Sequence, residues 1–160
     1  MNLYPGECVG LLGPNGSGKS TLYSTIIGEI YADTGKIFLN GKEIQDQPIH
    51  LRVNAGIGYL SQQRSVFDMT VYNNLLGICQ LKIKNEANQI KLTERLLDEF
   101  NLQHLRSTQA INLSGGEVRR LMLARLLISK PSVVLLDEPM AALDPIVVQD
   151  IQKYILKLQN

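Results

Sequence analysis

The chain has little that would tie it to nucleic acid, to a bilayer or to a disulfide-held secreted fold. Its net charge is +1, so it has neither the basic excess of a nucleic-acid binder nor a polybasic membrane anchor. No apolar run approaches the ~20 residues of a membrane span. The opening "MNLYPGECVG" lacks the basic region and long apolar stretch of a secretory signal. Cysteine is scarce: Cys8 and Cys79 lie far apart with no ligand-like spacing. That is the pattern expected of reduced thiols in an intracellular protein, and it argues against a zinc site. Histidine is equally scarce, with His50 and His104 alone. Internal repeats and low-complexity tracts are lacking. What remains is an ordinary globular composition, 44% hydrophobic and 19% charged, in 160 residues. That length suits one domain, which can bury roughly 70% of its extended surface.

The apolar patterning then orders the chain. "CVGLL" (8–12) predicts a buried strand running into a glycine-rich loop. Leu22, Ile26 and Ile27 share a face and predict a helix from Lys19 to about Ile27. Asn40-Gly41 between apolar flanks predicts a hairpin over 36–44. Pro48 starts a short helix that Gly56 stops. A second buried strand is expected at 57–62, helices at 70–81 and about 86–100, and another opening at 114–117 and ending before Pro131. "SVVLLDE" (132–138) predicts a third buried strand. Asp144-Pro145 caps a last helix, along which Val147, Ile151, Tyr154, Ile155 and Leu158 recur at helical spacing. Strands alternating with helices imply a mostly parallel sheet flanked by helices. The helical middle, about 64–130, reads as a lobe inserted into that sheet.

Three stretches carry chemistry. "GPNGSGKS" (13–20) fits G-x-x-x-x-G-K-[ST] between an expected strand and an expected helix. Glycines let the backbone curl so that several N–H groups face one concavity, and the helix adds its positive end. Lys19 offers a charge to β- and γ-phosphates, and Ser20 a hydroxyl to Mg²⁺. "VVLLDE" places Asp137 and Glu138 at the C-terminal end of a strand, where parallel sheets bind ligands. The first carboxylate can hold Mg²⁺, and the second can orient or deprotonate a water. "NLSGGEVRR" contains Ser114 and Glu117 at capping-box spacing, S-x-x-E. The same stretch is either a well-capped helix start or a second anion site.

"GPNGSGKS", Gln62 after a strand, "LSGGE", "VVLLDEP" and "ALD", in that order, resemble the ATPase subunits of ABC transporters over nearly the whole chain. The resemblance implies an α/β fold: a P-loop NTPase (RecA-like) parallel sheet flanked by helices, with an inserted α-helical subdomain and a small antiparallel hairpin region. The core would take about 1–63 and 131–160, and the helical subdomain about 64–130. It implies that Gly13, Asn15, Gly16, Ser17, Gly18, Lys19, Ser20 and Thr21 hold ATP and Mg²⁺. Ser20, Gln62 and Asp137 would address the metal, and Glu138, aided by Gln62, would be the catalytic base. Ser114, Gly115 and Gly116 would reach the γ-phosphate of a second copy in a head-to-tail homodimer, with Asp144 communicating between the two sites. Integral membrane transporter subunits are the implied partners, nucleic acid is not, and the implied place is the cytoplasmic face of the inner membrane.

Within this family, "GIGYLSQQRSVFDMTVYNNLLGICQL" and "DEPMAALDPIVVQDI" are similar to the lipopolysaccharide-export ATPases, and amino-acid importers share part of that text. Phe67, Met69, Val71 and Tyr72 would line a groove for a membrane subunit's coupling helix. Family members usually carry an upstream aromatic that stacks on adenine and a later histidine at the γ-phosphate. Tyr4 is expected to be a strand or turn residue instead, and His50 and His104 to be surface or packing residues. The chain therefore reads as truncated at both ends, with a nucleotide-binding module of little turnover as the alternative to an ATPase. Truncation also predicts an exposed apolar face on the last helix.

Overall fold

The computed structural model describes residues 1–14, 16–141 and 143–157, apart from the side chains of Ile146 and Lys157. The first helix, α1 (Lys19–Ile27), starts after Gly18 and ends on Gly28, both left-handed at φ 90° and 88°. A hairpin of β1 (Phe38–Leu39) and β2 (Lys42–Glu43) follows, antiparallel, with Leu39 opposite Lys42. Its turn, Asn40-Gly41, has φ of 50° and 77°, the paired left-handed conformation a two-residue hairpin turn needs. Next come α2 (Ile49–Ala55), β3 (Ile57–Leu60), α3 (Val71–Lys82), α4 (Glu86–Glu99), α5 (Gly115–Ile128), β4 (Val133–Leu136) and α6 (Pro145–Lys157).

The pairing of β3 with β4 sets the geometry of the molecule. They run parallel, from Ile57 opposite Val133 to Leu60 opposite Leu136. Parallel neighbours need a crossover, and here α3, α4 and α5 supply it. Val118, Leu121, Leu123 and Ala124 of α5 are almost wholly buried, so α5 is the central helix and α3 and α4 pack around it. Gly58 lets α5 lie close on the sheet: a Cβ there would sit 2.9 Å from Leu126 Cδ1 and 3.0 Å from Pro131. The Thr70 hydroxyl accepts from Asn73 N–H and the Asn85 side chain from Asn88 N–H, which caps α3 and α4 where sequence placed their starts.

The structure departs from expectation in three places. Residues 8–12 form no ladder among the described residues, and Val9 and Leu12 are exposed. An apolar run states a preference for burial; a strand also needs a neighbour, and β4 is paired here on its β3 side. The second and third strands are shorter than the runs that announced them, so Ser61, Gln62, Asp137 and Glu138 fall in the segments just beyond the strand ends. The apolar face of α6 is also covered. Ile151 is fully buried, Tyr154 stacks on Phe100 at 4.4 Å, and Val147 and Ile155 pack on the main core. Leu158 lies outside the described residues. Tyr4 opens a turn, with Glu7 N–H donating to its carbonyl at 3.0 Å, and His50 and His104 are on the surface.

Candidate functional site

The glycine loop leads into α1 with no side-chain cap, so the first N–H groups of a nine-residue helix have no partner supplied by Gly18. Gly16 and Gly18 are both left-handed, with open space where a Cβ would stand. A Cβ on Gly13 would instead meet Ser17 Oγ at 2.6 Å. Lys19 folds its ammonium over the loop, donating to the carbonyls of Gly13 at 2.8 Å and Pro14 at 3.0 Å. These are exposed main-chain acceptors that an anion can replace. Ser17, Ser20 and Thr21 are exposed beside them. Asn15 lies outside the described residues.

The carboxylates, Asp137 and Glu138, directly follow β4. Asp137 is 5% exposed, and its N–H donates to Leu60 O at 2.9 Å, which ties it to the last residue of β3. Tyr59 on β3 donates its phenol to Asp137 Oδ2 at 3.4 Å. Burial, and then the charge of Asp137, push the Tyr59 phenol up to about 12. Tyr23 on α1 is raised by the same two causes, and its ring lies 6.3 Å from that of Tyr59. So the face of α1 carrying Tyr23 looks toward Asp137. Ser20 lies one turn before Tyr23 on that face. A hydroxyl and a carboxylate are oxygen donors of the kind that suit a hard divalent cation, which keeps most of its shell from water and phosphate.

Gln62 and Glu138, separated by 76 positions in the chain, meet directly: Gln62 Nε2 donates to Glu138 Oε2 at 2.8 Å. Glu138 is left-handed at φ 46°, a conformation that costs a residue with a Cβ about 1–2 kcal/mol. Ala141 N–H donates to its carbonyl at 3.1 Å. Arg119 of α5 donates to the same carbonyl at 3.2 Å and to Ser61 O at 2.7 Å. Burial works against the Arg119 charge, and Asp137 supports it. Arg64 donates to the carbonyls of Ala110, Ile111 and Leu113, and Arg125 to Ser65 O while stacking on Phe67. Three guanidinium groups therefore fasten the segment after β3 to α5 and its approach. None was singled out from sequence, because their acceptors are main-chain carbonyls, which every residue type carries.

Ser114 heads α5 in a complete capping box: its N–H and hydroxyl both donate to Glu117 Oε2, at 2.7 and 2.8 Å. Burial alone would raise the Glu117 carboxyl, but these bonds, helped by Arg120 and His104, hold it below its usual value. Ser114 and Gly115 are exposed. Gly116 is not open in the same way: a Cβ there would lie 2.8 Å from Val147 Cγ1, and one on Gly115 3.8 Å from Leu143. The start of α5 thus abuts the turn that carries Asp144 and the start of α6. Of the apolar residues after Gln62, Phe67 and Met69 are exposed at 45% and 48%, whereas Val71 is fully buried and Tyr72 lies under Arg106.

The family model for the ABC transporter matches residues 1–141. The chain belongs to the ABC transporter family. The lipopolysaccharide export system ATP-binding protein LptB of Haemophilus influenzae is 44% identical over 156 residues, which are 96% of this chain and 65% of that protein. LptB of Escherichia coli K12 is 43% identical over 162 residues, covering 100% of this chain and 67% of that protein. A probable ABC transporter ATP-binding protein of Azorhizobium caulinodans is 44% identical, with 57% of its length covered. The chain thus spans about two thirds or less of these relatives. Among solved structures, the ATP-binding cassette MJ1267 aligns with a TM-score of 0.87 at 28% identity, over 99% of this chain and 68% of that one. The cassette MJ0796, in a dimeric post-hydrolysis state bound to ADP and Pi, aligns at 0.87 and 26% identity, over 100% and 72%. The fold is that of an ABC ATP-binding cassette: a P-loop α/β sheet with helices and a small antiparallel hairpin.

Proposed function

We propose that the chain binds ATP with Mg²⁺ and hydrolyses it, as the nucleotide-binding subunit of an ABC transporter, with lipopolysaccharide export as the process it drives. The observation that carries the hydrolytic reading is the 2.8 Å contact of Gln62 with Glu138, next to the buried Asp137. Gly13, Gly16, Ser17, Gly18 and Thr21, with the free N–H groups of α1, would cradle the phosphates. Asn15, from its place in the motif, would join them. Lys19 would exchange its bonds to the Gly13 and Pro14 carbonyls for phosphate oxygens. Ser20, Asp137 and Gln62 would hold Mg²⁺, which when bound neutralises phosphate charge. Glu138 would accept the proton of the attacking water and Gln62 would orient that water.

Two copies packed head to tail would place Ser114, Gly115 and Gly116 at the partner copy's γ-phosphate, with Asp144 linking the sites. Exposure of Ser114 and Gly115 supports this. The helical middle, about 64–130, would be the subdomain that meets integral membrane subunits through exposed Phe67 and Met69, on the cytoplasmic face of the inner membrane. Likeness to LptB at 43–44% identity supports the choice of lipopolysaccharide export.

The test is phosphate release from Mg-ATP by the wild type and Glu138→Gln, with and without the membrane subunits of a lipopolysaccharide exporter. Turnover that falls roughly 10²–10⁴-fold in the variant is expected, as is stimulation by those subunits. Equal rates in the two proteins would overturn the catalytic reading. Indifference to the membrane subunits would overturn the choice of lipopolysaccharide export.

A further inference from the structure

Arg119 is 7% exposed, and its guanidinium serves two main-chain positions far apart in sequence. Nη1 donates to Ser61 O at 2.7 Å and Nη2 to Glu138 O at 3.2 Å. Ser61 immediately precedes Gln62. One planar group therefore holds the carbonyl just before Gln62 and that of Glu138, the two residues whose side chains meet at 2.8 Å. A guanidinium is suited to this: its donors diverge in a rigid fork, whereas an ammonium on a flexible stem is a point donor. The second observation is the backbone of Glu138, left-handed at φ 46°. Such a conformation persists where its surroundings over-determine it. Here the Glu138 carbonyl is held from two sides, by Arg119 and by Ala141 N–H.

We propose that Arg119 is a positioning residue that locks the Gln62 segment and the Glu138 turn into one unit, so that water-orienting amide and base move together. It acts through two main-chain carbonyls, those of Ser61 and Glu138. Its place on α5, five residues after Ser114, makes the helix headed by the serine the rigid body to which that unit is fastened. The consequence for turnover rests on the ATPase reading above, whereas the mechanical coupling does not.

Arg119→Met keeps the apolar stem and removes both bonds; Arg119→Lys keeps the charge and can satisfy one carbonyl. Amide hydrogen exchange is followed without nucleotide in both variants and in the wild type, and Mg-ATP turnover is measured alongside. In Arg119→Met, exchange should quicken together over residues 61–64 and 138–141, with α4 unchanged as the sign of an intact fold. Turnover should fall roughly tenfold or more through kcat, since small misplacement of reacting groups is costly, with KM for ATP held. Arg119→Lys should lie between the two, giving a folded variant if the methionine is too disruptive. Unchanged exchange at either segment, or a loss carried by KM alone, overturns the proposal. A wild type without turnover would contradict the ATPase reading, and the exchange pattern would still decide whether Arg119 couples the two segments.

Discussion

Buried guanidinium groups bonded to main-chain carbonyls do much of the fixing at the scale of single residues. Arg52 is 1% exposed and donates to the carbonyls of Thr25, Ile26, Gln45 and Gln47. Two of these end α1, where carbonyls have no helical partner and the helix dipole favours a cation. The residue thus finishes the helix that begins at the glycine loop. Gly28 leaves room for it, since a Cβ there would lie 2.9 Å from Arg52 Nε. Arg52→Met fills a similar volume but strands those acceptors, and should cost about 2–4 kcal/mol. The measurement is a urea unfolding curve, in which the midpoint falls and the slope stays constant. The loop residues 13–20 could be read directly from sequence because their chemistry comes as contiguous spacing. The roles of Arg52, Arg64, Arg119 and Arg125 could not, because a carbonyl acceptor leaves no mark in the sequence.

At the scale of elements, the capping box of α5 unites structure and site. Burial works to raise the Glu117 carboxyl, but the bonds from Ser114 together with the charges of Arg120 and His104 hold its folded pKa below the ordinary value. The stability it supplies is therefore fully present above the ordinary glutamate value and is lost as pH falls through the lower folded value. Glu117→Ala should destabilise the protein by about 1 kcal/mol at neutral pH. That deficit should shrink toward zero in acid below the ordinary carboxylate range, and urea midpoints of the two proteins across that range check it. A deficit independent of pH would mean the carboxylate is not the capping group. Helices were legible where apolar spacing and a cap agreed, as at Thr70, Asn85 and Ser114. The Asn40-Gly41 hairpin was legible because turn chemistry is local. The expected strand at 8–12 has no ladder partner among the described residues, and pairing is not written in the run itself. The burial of the α6 face is likewise absent from its own run: Phe100, which covers Tyr154, comes from the end of α4.

For the whole molecule, one short parallel pair gathers distant residues onto one edge. The β3–β4 register puts Gln62 and Glu138 side by side, and Tyr23 with Tyr59 brings α1 to Asp137. Which residues would form the site could be inferred by family resemblance. That Arg119 binds the Ser61 and Glu138 carbonyls, and that Glu138 rests in a left-handed conformation against Gln62, emerged from the fold. In the proposed function, the loop at 13–20 and these carboxylates form one Mg-ATP site. Calorimetric titration of the chain with ATP, with and without Mg²⁺, tests it most directly when Lys19→Ala is run beside the wild type. Saturable, Mg²⁺-dependent binding by the wild type is predicted. A loss of roughly 100-fold in the variant should accompany it, as removal of a charged contact worth about 2.7 kcal/mol would give. Absence of binding, or equal affinity in the two proteins, would contradict it.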